Sequence, residues 1–252
     1  GEGDIAREIG RDVDPDAIHA ARLALRLGIG RSLHAELERI YSALAPAPRY
    51  SPDAAHAGRR ALRHEALNLL MVGNERRGTE LAQDQFVRSD NLTERFGALA
   101  VLCMAHSTQR ETALAHFGER YSSEPLVLDK WFALQAALPE SGTLDRIERL
   151  MQHPAFDMEN PNRARSLIGG FSAGNPTQFN RRDGAGYAFV VESAMVLDAK
   201  NPQLAARILG SFKTWRMLEP GRRTFAEAAL RRLAESAQLS RDAMDIVGRA
   251  LA

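Results

Sequence analysis

Apolar residues recur three and four positions apart along nearly the whole chain, and no stretch alternates convincingly with the two-residue period of a strand. Helix is therefore the expected element throughout, its starts marked by short polar residues and prolines. Asp14-Pro15-Asp16 offers a capping carboxylate and a proline suited to the first helical position, and Ile18, Leu23, Leu25 and Leu27 follow. Gly28-Ile29-Gly30 is expected to end this helix, or to break it before Leu33, Leu37, Ile40 and Leu44 continue on a similar face. Residues 45–50, with two prolines, read as a stiff connector.

Ser51-Pro52-Asp53 caps the next helix, which is expected to reach Gly73-Asn74, and helices at about 76–87, 92–106 and 108–121 follow. Glu124-Pro125 introduces residues 126–136, apolar on several sides and expected to be deeply buried. Ser141-Gly142-Thr143 begins a shorter helix, and later candidates cover 186–197, 202–218, 220–237 and a last helix started by Ser240-Arg241-Asp242. Short turns between such helices predict successive antiparallel pairs. The expected fold is an all-α array of antiparallel helix pairs forming a curved HEAT- or armadillo-like solenoid, read as one domain over residues 1–252.

One stretch breaks the pattern. In 160–179, Asn160-Pro161 opens a helix, Arg163 and Arg165 fill its first turn, Gly169-Gly170 is expected to interrupt it, and Asn175-Pro176 restarts the chain. Arginine in a first turn opposes the helix dipole, so helix stability did not select these residues. Two positions apart, Arg163 and Arg165 point in different directions, and at most one faces a cavity if the other faces solvent. Arg207 lies in the first turns after a third Asn-Pro, Asn201-Pro202. On the residues alone, bonds to carbonyls and carboxylates between helices are favoured for these arginines over a ligand role.

Composition narrows the setting. Hydrophobic residues make up 44% and charged residues 26%, as in soluble globular proteins, and no apolar run reaches the length of a membrane span. The start Gly1-Glu2-Gly3-Asp4 has neither Met nor a signal region and reads as a cut inside a longer protein. A lone Cys103 in an apolar run reads as a buried small hydrophobe, in keeping with a reducing cytosol. The net charge of +1 divides into −5 over residues 1–159 and +6 over 160–252. The basic half could meet nucleic acid or an acidic partner. Its arginines are scattered at helical spacing, however, and no nucleic-acid signature appears.

Enzyme motifs fare poorly. His64-Glu65-Ala66-Leu67-Asn68 lacks the second histidine of a zinc-binding helix, and His64 and Glu65 read as polar surface positions. The seven histidines never fall at i, i+3 or i, i+4; a pairing of His106 with His116 is weaker than solvated or capping roles. Gly170-Phe171-Ser172-Ala173-Gly174 has the spacing of a nucleophile elbow, but helix precedes it where a strand is needed. Gly184-Ala185-Gly186 reads as a turn. No catalytic or metal-binding residue is expected.

Residues 160–179, with Asp183-Gly184-Ala185-Gly186-Tyr187 and Asn201-Pro202-Gln203-Leu204-Ala205-Ala206-Arg207, resemble the end of bacterial alanyl aminopeptidases of the gluzincin (M1) metallopeptidase family. Residues 126–136 and the ending Arg249-Ala250-Leu251-Ala252 match the same family. The resemblance implies that residues 1–252 are the C-terminal α-helical domain of such an enzyme, without its zinc domain. It implies no cofactor in this chain and zinc in the parent enzyme. The catalytic and β domains of the same polypeptide would be its partners, together with a peptide substrate, in the cytoplasm, with no nucleic acid and no membrane. The domain would cap the active-site cleft and enclose a cavity lined by Arg165 and Arg207, with Gln203 beside Arg207, while Asn162 would cap its helix. The competing reading is a stand-alone HEAT-like scaffold that binds a protein on its concave face; RNA binding by the basic half ranks third.

Overall fold

The computed structural model describes residues 1–45, 50–236 and 239–252, and among them every named element is helical. Sixteen α-helices follow in chain order. They are α1 (Glu2–Ile9), α2 (Pro15–Ser32), α3 (His34–Ala43), α4 (Ala54–Gly73), α5 (Glu75–Arg88), α6 (Leu92–Leu102), α7 (Thr108–Arg120) and α8 (Pro125–Ala136). After α9 (Thr143–Met151) come α10 (Pro161–Ala164), α11 (Gly170–Gly174), α12 (Pro176–Phe179), α13 (Ala185–Asp198), α14 (Pro202–Leu209), α15 (Pro220–Ala234) and α16 (Arg241–Leu251). A π-helical segment, Arg165–Gly169, joins α10 to α11, and a 3-10 segment, Gly210–Met217, extends α14.

The caps carry much of this punctuation. Asp53, Asn74, Asn91, Asn160, Asn175, Asn201 and Ser240 each accept a backbone N–H of the first turn through the side chain. Such a contact is worth about 1 kcal/mol per helix. Proline opens α8, α10, α12, α14 and α15, where its missing N–H costs nothing.

The contacts divide the chain into two compact units, Gly1–His19 with Tyr121–Ala252, and Ala20–Arg120. We call them unit 1 and unit 2; their boundary falls within α2. In unit 2, α3 to α7 pack in sequence order around buried Leu67, Leu70, Phe86, Leu99, Leu102 and Phe117. Gly28-Ile29-Gly30 does not stop α2, which turns only at Leu33. A Cβ on Gly30 would lie 2.3 Å from the Leu69 carbonyl, and one on Gly73 would lie 2.5 Å from Gly30. These glycines let two helix backbones touch.

In unit 1, α11, α12, α13 and the 3-10 segment meet on a mostly edge-to-face cluster of Phe171, Phe179, Phe189, Tyr187 and Phe212, with ring centroids 5.2 to 6.4 Å apart, while α8 packs on α9 and α11. Its first residues are held by a short extended contact: Val13 N–H donates to the Met217 carbonyl at 2.8 Å, and Glu219 N–H donates to the Val13 carbonyl at 3.0 Å. Beside it lies Arg222, fully buried, whose guanidinium reaches Asp14 at 2.9 Å, Asp16, Glu219 at 3.3 Å and the Asn180 carbonyl.

Several expectations need correction. Helix α1 had no forecast. The helix at 92–106 stops at Leu102, and residues 202–218 change from α to 3-10 geometry after Leu209. Leu126 is exposed although Leu128, Trp131 and Phe132 on the same helix are buried. Most of the 45–50 connector and the forecast end of the 220–237 helix lie outside the described residues.

Candidate functional site

Gly169-Gly170 does not interrupt the helix it was expected to break. Both residues keep right-handed helical angles, and the change lies just before them, where the turn widens by one residue. Gly170 N–H reaches back to the Arg165 carbonyl, five residues away, which is the π-type bond. A Cβ on Gly170 would meet Ala133 of α8 at an ordinary contact distance of 3.4 Å, and one on Gly169 would meet only the Arg165 side chain, also at 3.4 Å. The widened turn begins at Arg165.

Arg163 and Arg165 part company there. Arg163 is buried, 3.0 Å from Asp129 Oδ1 and 5.0 Å above the Phe132 ring. The nearby His153 has its pKa lowered, first by its own burial and second by the Arg163 guanidinium. Arg165 is exposed and donates to Asn162 Oδ1 at 2.6 Å. The cap of α10 is Asn160, so Asn162 orients Arg165 instead of capping.

Arg165 lines a cavity of about 780 Å³ that lies wholly within unit 1. Its apolar surface comes from core residues, among them Phe179, Tyr187, Phe212, Trp215 and Leu218. Tyr187 donates its hydroxyl to Asn180 Oδ1 at 3.0 Å, and burial pushes its phenol pKa up, so it stays neutral. Helix α1 supplies part of the wall through Glu2, Gly3, Ala6 and Arg7. Nearly all of the 3-10 segment lines it as well. The π turn and the 3-10 run, the two departures from α geometry among the named elements, thus meet at one cavity.

The lining is basic. Arg7, Arg165, Arg207 and Lys213 contribute to it, with Glu2 as its carboxylate. Glu2 Oε1 lies 3.1 Å from His19 Nδ1, and Arg7 pairs with Asp4. Among the described residues the side chains of Arg207 and Lys213 have no hydrogen bond or ion pair, and that of Arg165 meets only the neutral amide of Asn162. The structure brings Arg165 and Arg207 together at this cavity. Gln203, exposed on α14, is not part of the lining. An apolar concavity at which Arg165, Arg207 and Lys213 have no acidic partner among the described residues is suited to an anion carried on an apolar body.

The enzyme motifs lead elsewhere. His64 is half-buried and not a surface residue: its Nε2 lies 2.9 Å from Gln85 Nε2 and 3.3 Å from Glu94 Oε2. Asn68, in the place of a second zinc ligand, accepts from Arg26 at 2.8 Å. This donor set does not fit zinc. No group of three or more His, Cys, Asp or Glu able to hold a metal occurs among the described residues. Ser172 is buried inside α11 and close to the Gly169 carbonyl, so it is no exposed nucleophile. His116 packs on Phe86, with ring centroids 5.9 Å apart. No helix of the described residues is long and apolar enough to cross a membrane.

Paired helices around a basic cavity define a helical-repeat module. A family model described as a domain of unknown function (DUF3458_C) with ARM repeats matches residues 1–252, and the chain belongs to that family. It is similar to the C-terminal portion of aminopeptidase N. Identity is 37% over 238 residues to the protein of Caulobacter vibrioides, covering 94% of this chain and 28% of that protein. It is 34% over 240 residues to that of Escherichia coli, with 95% and 28% covered. A solved structure, Legionella pneumophila aminopeptidase A in complex with aspartic acid, superposes with a TM-score of 0.87 at 24% identity. That match covers 96% of this chain and 29% of the other, and it bears on fold alone. The chain therefore spans less than a third of these relatives.

Proposed function

We propose that residues 1–252 form the C-terminal helical domain of a zinc-dependent aminopeptidase that removes N-terminal residues from peptides. In this reading the domain holds no catalytic group. It caps the active-site cleft, encloses the substrate and controls access, and the zinc belongs to a part of the polypeptide outside this chain. Its partners are the catalytic and β domains of that polypeptide and the peptide itself, in the cytoplasm.

The observation that carries the reading is the pair Arg165 and Arg207, reached from separate elements and lining one cavity without acidic partners. A guanidinium so placed can take a carboxylate through two parallel hydrogen bonds. The downstream end of a peptide offers such a carboxylate, and a single-residue amide does not.

The test compares substrates in the full-length enzyme. Arg165→Ala is expected to lower kcat/KM for peptides of three or more residues by roughly tenfold to a hundredfold, the effect of losing about 1.5–3 kcal/mol of charge-assisted bonding. Cleavage of an aminoacyl anilide should change little. Equal loss on both substrates would remove the proposed role of Arg165. The 252-residue chain alone should hydrolyse neither, and chelator-sensitive activity in pure material would overturn the cap assignment.

A further inference from the structure

Arg165 and Arg207 account for one carboxylate, yet the cavity holds a further cation that nothing neutralises. Lys213 lies in the 3-10 segment Gly210–Met217, and the neighbouring Phe212, Thr214 and Trp215 line the same cavity. Its side chain is exposed and makes no hydrogen bond or ion pair among the described residues. The carboxylate in the lining, Glu2, faces His19, and Asp4 serves Arg7. One carboxylate bound to the two arginines would therefore leave the exposed Lys213 ammonium uncompensated on a lining that is otherwise largely apolar. Low-dielectric walls concentrate the field of such a charge into the opening.

We infer that Lys213 forms a second anion subsite, so that the cavity prefers peptides carrying two negative groups at their downstream end, namely a terminal carboxylate and the side chain of Asp or Glu. The inference rests on the cap reading for the identity of the ligand, but its chemistry is that of this lining alone. The two kinds of cation divide the work. A guanidinium presents a planar fork that fits the terminal carboxylate, whereas the lysine ammonium is a compact charge on a flexible stem that follows a side chain of variable length. Lys213 would set specificity and take no part in bond cleavage.

The test is a calorimetric titration of the 252-residue chain with the tripeptides Ala-Ala-Glu and Ala-Ala-Gln, which match in size and differ by one charge. At low ionic strength the Glu peptide is expected to bind about fivefold more tightly, the scale of one partly exposed ion pair, and added salt should shrink the ratio. Lys213→Gln should bring the ratio close to one without weakening the Gln peptide, and Lys213→Arg should restore it. A ratio of one in the unaltered chain, a ratio that survives Lys213→Gln, or binding of neither peptide would each overturn the subsite. None of these outcomes bears on the cap reading, which stands or falls on the length dependence of Arg165→Ala in the full-length enzyme.

Discussion

The buried cluster around Arg63 in unit 2 and the basic cavity of unit 1 use the same kind of side chain in opposite ways. Arg63 donates to Glu94 at 2.7 Å and to Gln85 at 2.8 Å, and its guanidinium lies 4.2 Å above the Tyr41 ring. Gln85 also accepts from the Tyr41 hydroxyl at 3.0 Å and donates to the Glu94 carbonyl at 3.1 Å. Every arm of that cluster ends on another arm. In the cavity, Arg165 and Arg207 are exposed and face no carboxylate. A charge buried and fully paired holds helices in register; a charge left open beside an apolar wall is available to something that is not part of the chain.

Removing a paired arginine should therefore cost far more than removing an open one. Arg63→Ala leaves the Glu94 carboxylate in a dry site with only His64 beside it, and Arg222→Ala removes a fully buried guanidinium from the part-exposed Asp14, Asp16 and Glu219, the first two of which Arg182 still reaches. Arg63→Ala is expected to destabilise the fold by about 3–5 kcal/mol, the usual result of breaking a buried pair from one side, and Arg222→Ala by about 1–3 kcal/mol, because the carboxylates it leaves are part-exposed. Urea unfolding monitored by circular dichroism reads this directly. A change under about 1 kcal/mol in either variant would mean that these guanidiniums are not holding the structure.

That distinction was not legible in the sequence. Helix as the only element, the Asn-Pro starts and the caps at Asp53 and Ser240 could be read from local chemistry, since a cap acts within three residues of itself. What an arginine faces depends on contacts far away in the chain. Arg222 meets Asp14 and Asp16 across more than 200 residues, and nothing near position 222 announces it. The glycines misled for a related reason. Gly30 and Gly169-Gly170 look like helix breakers from their own conformational freedom, but Gly30 lets another backbone approach and Gly169-Gly170 keeps helical angles. The π turn at Arg165 and the 3-10 run at Lys213 also escaped, because both keep helix-like periodicity in the sequence. Of the three residues expected at a cavity, Arg165 and Arg207 line one. Gln203, carried over with Arg207 from the matching Asn201–Arg207 motif, is exposed on α14 and outside that lining.

Acid should reveal the paired groups by a second route. In unit 2 burial works to raise the Glu94 carboxyl, but His64 and Arg63 outweigh it and hold it below its ordinary value of 4.5. In unit 1 burial likewise works to raise Asp14, and Arg222, the N–H groups of Ala17 and Asp16, and Arg182 hold it below 3.8. A carboxyl whose pKa is lower in the folded than in the unfolded chain binds its proton more weakly when folded. Its contribution to stability is fully present above the unfolded pKa and disappears as pH falls through the folded one. Unfolding midpoints should hold from pH 7 down to about 5 and then decline. Glu94→Gln and Asp14→Asn should each start lower and decline less steeply. Parallel acid profiles for the variants and the unaltered chain would separate the observed pairing from the stability.

The smallest expected effect is the most informative one for the cavity. Arg165→Ala and Arg207→Ala remove exposed guanidiniums that no acidic group of the chain engages, so the double variant should unfold within about 0.5 kcal/mol of the unaltered chain. Relief of like charge around the opening could even make the change slightly favourable, since Lys213 and Arg7 remain on the same lining. Urea midpoints of the double variant, measured beside Arg222→Ala, put the two classes of arginine on one scale. If the double variant loses several kcal/mol, the cavity arginines are holding helices together and the ligand reading of the site fails. If it is neutral and peptide binding is lost in the same protein, the two charges serve the ligand and not the fold.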